Sequence, residues 1–111
     1  MKPQESPRRS QPLAVQLAGD LSIQTIDRAY AKLIEALGTG CDIVASVDAE
    51  AQVDLTCVQL LEAARRTAQA DGRAFTLDAP AERALLEVLQ RGGFLQSVEQ
   101  RTFWLMGPGE Q

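Results

Sequence analysis

A chain of 111 residues, 45% hydrophobic and 23% charged, is one domain by length, long enough to bury a core and too apolar for general disorder. Its 11 Lys and Arg against 15 Asp and Glu leave a net charge of -4 and a pI near 4.7, a poor match for a nucleic-acid backbone or an anionic lipid surface. There is no His, which removes Ser-His-Asp hydrolysis, Cys-His proteolysis, imidazole metal sites and His phosphotransfer.

Met1 to Pro12 is rich in Pro, Ser, Gln and Arg and reads as a disordered tail over residues 1–12, with a basic docking arm at Arg8 and Arg9 as the alternative. No apolar region follows those arginines, so the segment is not a secretory signal, and no run approaches the roughly 20 residues of a membrane span. Cys41 and Cys57 make no CxxC pair, and a reducing, cytoplasmic setting is expected.

Leu13, Val15 and Leu17 alternate as in a half-buried strand, and Gly19-Asp20 follows as a turn. Ile26, Tyr30, Leu33, Ile34 and Leu37 fall on one helical face, with Thr25 as N-cap and Gly38 and Gly40 beyond the end. Asp42 to Val47 is short and β-branched, a buried central strand. Asp54 is placed to cap a helix from Leu55, with Cys57, Leu60, Leu61, Ala64 and Ala68 inward and Gln59, Glu62, Arg66 and Gln69 outward. Phe75 and Leu77 alternate in a third strand, and Pro80 fits the first turn of a helix whose inner face is Ala81, Leu85, Val88 and Leu89. Gly92-Gly93-Phe94 has the pattern of a Schellman end. The last segment reads two ways: a helix opened by a Ser97/Gln100 capping box, or a strand over Phe103 to Met106. That aromatic cluster either covers the core or sheet edge, or serves as a binding or dimerising tail.

The alternation predicts an α/β fold, a mostly parallel sheet with helices packed against it and an extra C-terminal element. The domain is expected over residues 13–106, with a flexible end at 107–111.

Chemistry-bearing groups are few. Asp48, Glu50 and Asp54 gather near the C-terminal edge of the central strand, where α/β sheets place their sites, but their spacing is not a known metal loop. They read as a solvated acidic rim and a cap, and no metal or other cofactor is expected. Gly38-Thr39-Gly40 follows a helix instead of opening one, the wrong context for a nucleotide loop. Cys57 at a helix start is a nucleophile candidate but falls on the inner face with no base at hand. Thr56 lies in the first turn after the cap, where free N–H groups and the helix dipole accept negative charge, so a phosphate there would alter the surface without unfolding the domain.

From about Leu13 to Phe94 the chain resembles a STAS domain, the fold of bacterial anti-sigma factor antagonists. Val15-Gln16-Leu17-Ala18-Gly19-Asp20-Leu21 is similar to the family's strand followed by Gly-Glu/Asp-Leu. Asp54-Leu55-Thr56-Cys57 stands at the place of its Asp-Ser-Ser-Gly, with a Leu-Leu and an Ala-Arg-Arg run after it. Phe75-Thr76-Leu77-Asp78-Ala79-Pro80, then a Leu-rich helix ending in Gly-Phe, is similar to the closing strand and helix. The resemblance implies a non-catalytic STAS-like switch module. Its partner would be an anti-sigma-type Ser/Thr kinase, a chemotaxis component or a transporter ATPase. Thr56 matches the phosphorylation position, and Asp48, Glu50, Asp54, Leu55, Thr56 and Gln59 would form the partner-binding surface. Leu55 replaces a Ser, Cys57 a Gly and Thr56 a Ser, which brings the chain closer to divergent, chemotaxis-associated members. The alternative is a constitutive docking subunit of a phospholipid-transport ABC complex or receptor array, never phosphorylated. Neither nucleic-acid binding nor membrane insertion is implied, and a monomer or weak homodimer is expected.

Overall fold

The computed structural model describes residues 12–22 and 25–105. The expected tail, apart from Pro12, the expected flexible end and Met106 lie outside the described residues.

Three strands form the main sheet: β1 (Leu13–Leu17), β3 (Ile43–Val47) and β5 (Phe75–Leu77), in the spatial order β1-β3-β5. Every pairing among the described residues is parallel, with Leu13 opposite Ile43 and Ile43 opposite Phe75. Past Leu17 the ladder is interrupted and then resumes. Asp48 N donates to Leu17 O at 2.9 Å and Gln52 N to Gly19 O at 2.9 Å. The short strands β2 (Asp20–Leu21) and β4 (Gln52–Val53) then pair in parallel. Gly19 makes the bend with φ 80, a conformation that costs a residue with a Cβ. The excursion at 48–51 therefore stands at the C-terminal end of the sheet.

The helices are α1 (Ile26–Leu37), α2 (Leu55–Ala70), α3 (Arg83–Gly92) and α4 (Val98–Leu105). Helix α1 packs on β1 and α2, α2 packs on β5 and α3, and α4 reaches β5. Ile43 and Ala45, on one face of the central strand, are fully buried, whereas Val44 and Ser46 on the other face are half-buried, so among the described residues the helices cover the sheet on one face and the strand is not buried on both as expected. Leu33, Cys57, Val58, Leu61, Leu89 and Trp104 close the core over them.

Four further expectations are corrected. The buried face of α1 is Ala29, Leu33 and Ala36, whereas Tyr30 and Ile34 are about half exposed, at 53% and 50%. Small side chains let α1 approach β1 and α2 closely, which rotates the bulkier pair outward. Thr25 precedes α1 but does not cap it through its side chain; its hydroxyl donates to Asp20 O. Helix α3 begins at Arg83 and not at Pro80, because the backbone leaves the helical region at Glu82, which is extended at φ -148, and at Arg83, which has φ 54. Glu62, placed outward by sequence, is buried.

Between the two readings of the last segment, the helix holds. Gln100 N donates to Ser97 Oγ at 3.0 Å and Ser97 N to Gln100 Oε1 at 3.0 Å, a reciprocal capping box. Phe103 and Trp104 are buried, and the Phe103 ring lies 6.0 Å from that of Phe75. The Schellman end of α3 is also present. Gly93 has φ 77, Phe94 N donates to Leu89 O at 3.0 Å and Gly93 N to Gln90 O at 3.4 Å.

Candidate functional site

The candidate site is the corner where β4 turns into α2. Asp54 is extended at φ -129, and its Oδ1 accepts the Thr56 N–H at 3.0 Å, satisfying one of the free donors of the helix start. Its carbonyl accepts from Cys57 N at 3.1 Å, closing the first turn. Leu55 and Thr56 thus occupy the first two helical positions in a fixed orientation. Leu55 is 46% exposed, a large apolar side chain left in solvent. Thr56 is half-buried and Gln59 is exposed. Leu55 and Gln59, four apart, share one face of α2, and Thr56 lies three before Gln59.

The acidic residues reach this corner from the preceding turn. Asp48 and Glu50 are exposed, and Asp54 is half-buried. Ala51 N closes the turn on Asp48 O at 2.9 Å. Glu50 faces Arg83 at the start of α3 across 3.8 Å; both side chains are mostly in water, so the pair adds little stability. The structure therefore brings Asp48, Glu50, Asp54, Leu55 and Thr56 to one end of the sheet, with Gln59 one turn further along α2.

Two acids at the same end escaped sequence reasoning. Asp20 pairs in register with Gln52, and hydrogen bonding from the Ser22 side chain and backbone holds its carboxyl below the usual range. Asp78, just past β5, accepts from Ser46 Oγ at 3.0 Å. The signal for the first was the Gly-Asp-Leu turn itself, and for the second the Asp that closes the strand.

At this end of the sheet Asp48 and Glu50 lie on an exposed surface. The cavity beside Asp48, lined also by Pro80 and Leu85, holds about 30 Å³, room on the order of one water. Among the described residues, no group of three or more His, Cys, Asp and Glu side chains converges as a metal site would. Cys57 is fully buried, and burial first, with the Asp54 charge second, pushes its thiol up to about 12. At neutral pH it carries no thiolate and does not fit the role of nucleophile. Among the described residues no helix is long and apolar enough to cross a membrane.

A family model described as "Mlab, STAS domain" matches residues 6–99, which includes the whole β3–α2 corner. No curated protein and no solved structure matches the chain.

Proposed function

The chain belongs to the STAS domain family, whose members mediate protein–protein interaction, and from that premise we propose that it is a non-catalytic signalling module acting in the cytoplasm. It binds a regulatory protein through the start of α2, and phosphorylation of Thr56 by a Ser/Thr kinase releases that partner. The observation that carries this reading is the Asp54 cap, which fixes Thr56 in the first turn of α2 beside an exposed acidic rim. A phosphate on Thr56 adds about -1.5 to -2 charge at that rim and repels a surface matched to the unmodified one. The partner is an anti-sigma-type kinase or a chemotaxis component, reading Asp48, Glu50 and Asp54 by charge and Leu55, Thr56 and Gln59 by shape.

The test is capture of the native partner from cell lysate on immobilised wild type, Thr56→Ala and Thr56→Glu proteins. Retention by the first two and loss with the third is the expected result. Equal capture by all three sinks the gating role.

Leu55 supports a second reading. An apolar residue 46% exposed at the helix start, where the family carries Ser, is a contact that needs no phosphate. In that reading the chain is a constitutive docking subunit of a phospholipid-transport ABC complex or receptor array. Thr56→Ala then leaves function in cells intact, while Leu55→Asp and Gln59→Arg abolish the complex.

A further inference from the structure

Two of the large apolar side chains left in water stand together on α1. Tyr30 and Ile34, four apart, share its outer face, and each is about half exposed. Ala31 beside them is exposed and small, so the middle of that face is low enough for another helix to approach closely. Along one flank stand Arg28 and Glu35, both exposed and seven apart, which places them two turns from each other on the same side of the helix. Among the described residues neither makes a hydrogen bond or an ion pair. Asp27, also exposed, stands one turn before Tyr30.

This pattern is its own complement under a two-fold axis. With two copies of α1 laid antiparallel and Ala31 beside the axis, Tyr30 comes level with Ile34 of the partner subunit. In the same register Arg28 comes level with Glu35 of the partner subunit. An axis of this kind runs across both helices, so like flanks meet, apolar against apolar and charged against charged. Each contact then occurs twice: two Tyr–Ile contacts and two ion pairs about a pair of alanines. Asp27 falls at the end of the contact, in water. A partner of another kind would require no such match between Arg28 and Glu35 about the apolar pair.

We infer that the outer face of α1 is a self-association surface, which joins two copies of this chain as an antiparallel pair of α1 helices. The contact is small. A helix of 12 residues is about 18 Å long, and crossing two of them buries less than the roughly 1,200 Å² of a standard interface, so the dimer forms and dissociates with concentration. This face is separate from the start of α2, so its test is independent of the Thr56 reading.

The test is sedimentation velocity of the full chain from about 10 μM to about 1 mM, where the weight-average mass is expected to climb from monomer toward dimer. Ile34→Asp is expected to hold the chain monomeric throughout. Arg28→Glu and Glu35→Arg each set like charges opposite one another and weaken association about tenfold, because symmetry counts every change twice; the two together restore it. Circular dichroism melts verify that these exchanges on an exposed flank leave the fold intact. A chain that stays monomeric at the highest concentration overturns the inference. So does a dimer that Ile34→Asp leaves intact, one that the single charge changes leave unaltered, or one that the double change fails to restore.

Discussion

The indole of Trp104 donates its Nε1–H to Glu62 Oε2 at 2.9 Å, and Arg65 Nη2 holds the other oxygen, Oε1, at 2.7 Å. A carboxylate from the middle of α2 is thus the fixed point on which α4 docks, and Arg65 reaches on to Glu99 of α4 at 3.0 Å. Trp104 is fully buried, so its N–H has no solvent to fall back on.

Glu62→Ala leaves both the indole N–H and the guanidinium short of an acceptor in a buried place. A loss of about 3 kcal/mol is expected, while Glu62→Gln, which keeps one acceptor oxygen, loses about 1–2 kcal/mol. The midpoint of urea unfolding at constant slope measures both. If neither variant moves the midpoint, the tie contributes nothing to stability.

The cap at Asp54 makes a smaller and more selective prediction. Asp54→Ala removes the acceptor for Thr56 N and is expected to cost about 1 kcal/mol, whereas Asp54→Asn keeps the bond and stays within about 0.5 kcal/mol of wild type. Thermal unfolding of the pair separates capping from charge, since only Asn preserves the first while removing the second.

Thr56→Glu must fold as well as wild type if its loss of binding is to mean anything. Negative charge in the first turn of α2 gains from the helix dipole and loses against the Asp54 carboxylate. The two offset, and the change in unfolding free energy is expected to lie within about 0.5 kcal/mol. Circular dichroism melts of the purified variant check this before any binding experiment is read.

The buried thiol predicts an alkaline weakness. Cys57 keeps its proton in the folded chain up to about 12, against 9.0 for an ordinary thiol, so above pH 9 the unfolded state releases a proton that the folded state retains. Its contribution is fully present below pH 9 and is lost as pH rises toward 12, at up to about 1.4 kcal/mol per pH unit. Cys57→Ala, less stable at neutral pH through its cavity, should show a flatter decline over that window. Parallel declines in the two proteins would remove Cys57 as the cause.

Much of the fold was legible because local chemistry and tertiary structure agree. Asp54 before Leu55, Ser97 before Gln100 and Gly93 before Phe94 are signals read within four residues, and each makes its bond. The alternation of Leu13, Val15 and Leu17 and of Phe75 and Leu77 needed only the two-residue period of a strand. Where reading failed, a partner distant in sequence decided the outcome. Glu62 looks like a solvent residue until Trp104, 42 positions on, is brought against it. Tyr30 and Ile34 carry more apolar surface than Ala29 and Ala36, so a periodicity count favours them. Close packing of α1 favours the alanines, and no single helix reveals how near its neighbour will come. At the candidate site, the contiguous stretch from Asp48 to Gln59 was readable, while Asp20 and Asp78 joined it only through sheet register.

The spatial order of the main strands repeats their order in the chain, β1 then β3 then β5. In such an order each strand is added beside the one before it, and no early strand waits for a late one. The final segment inverts that economy. Trp104, which follows all five strands described, is the largest fully buried side chain and meets its partner back in α2. A chain cut before Ser97 should therefore keep the parallel sheet yet lie open to protease, and resistance should return only when the segment carrying Trp104 is restored.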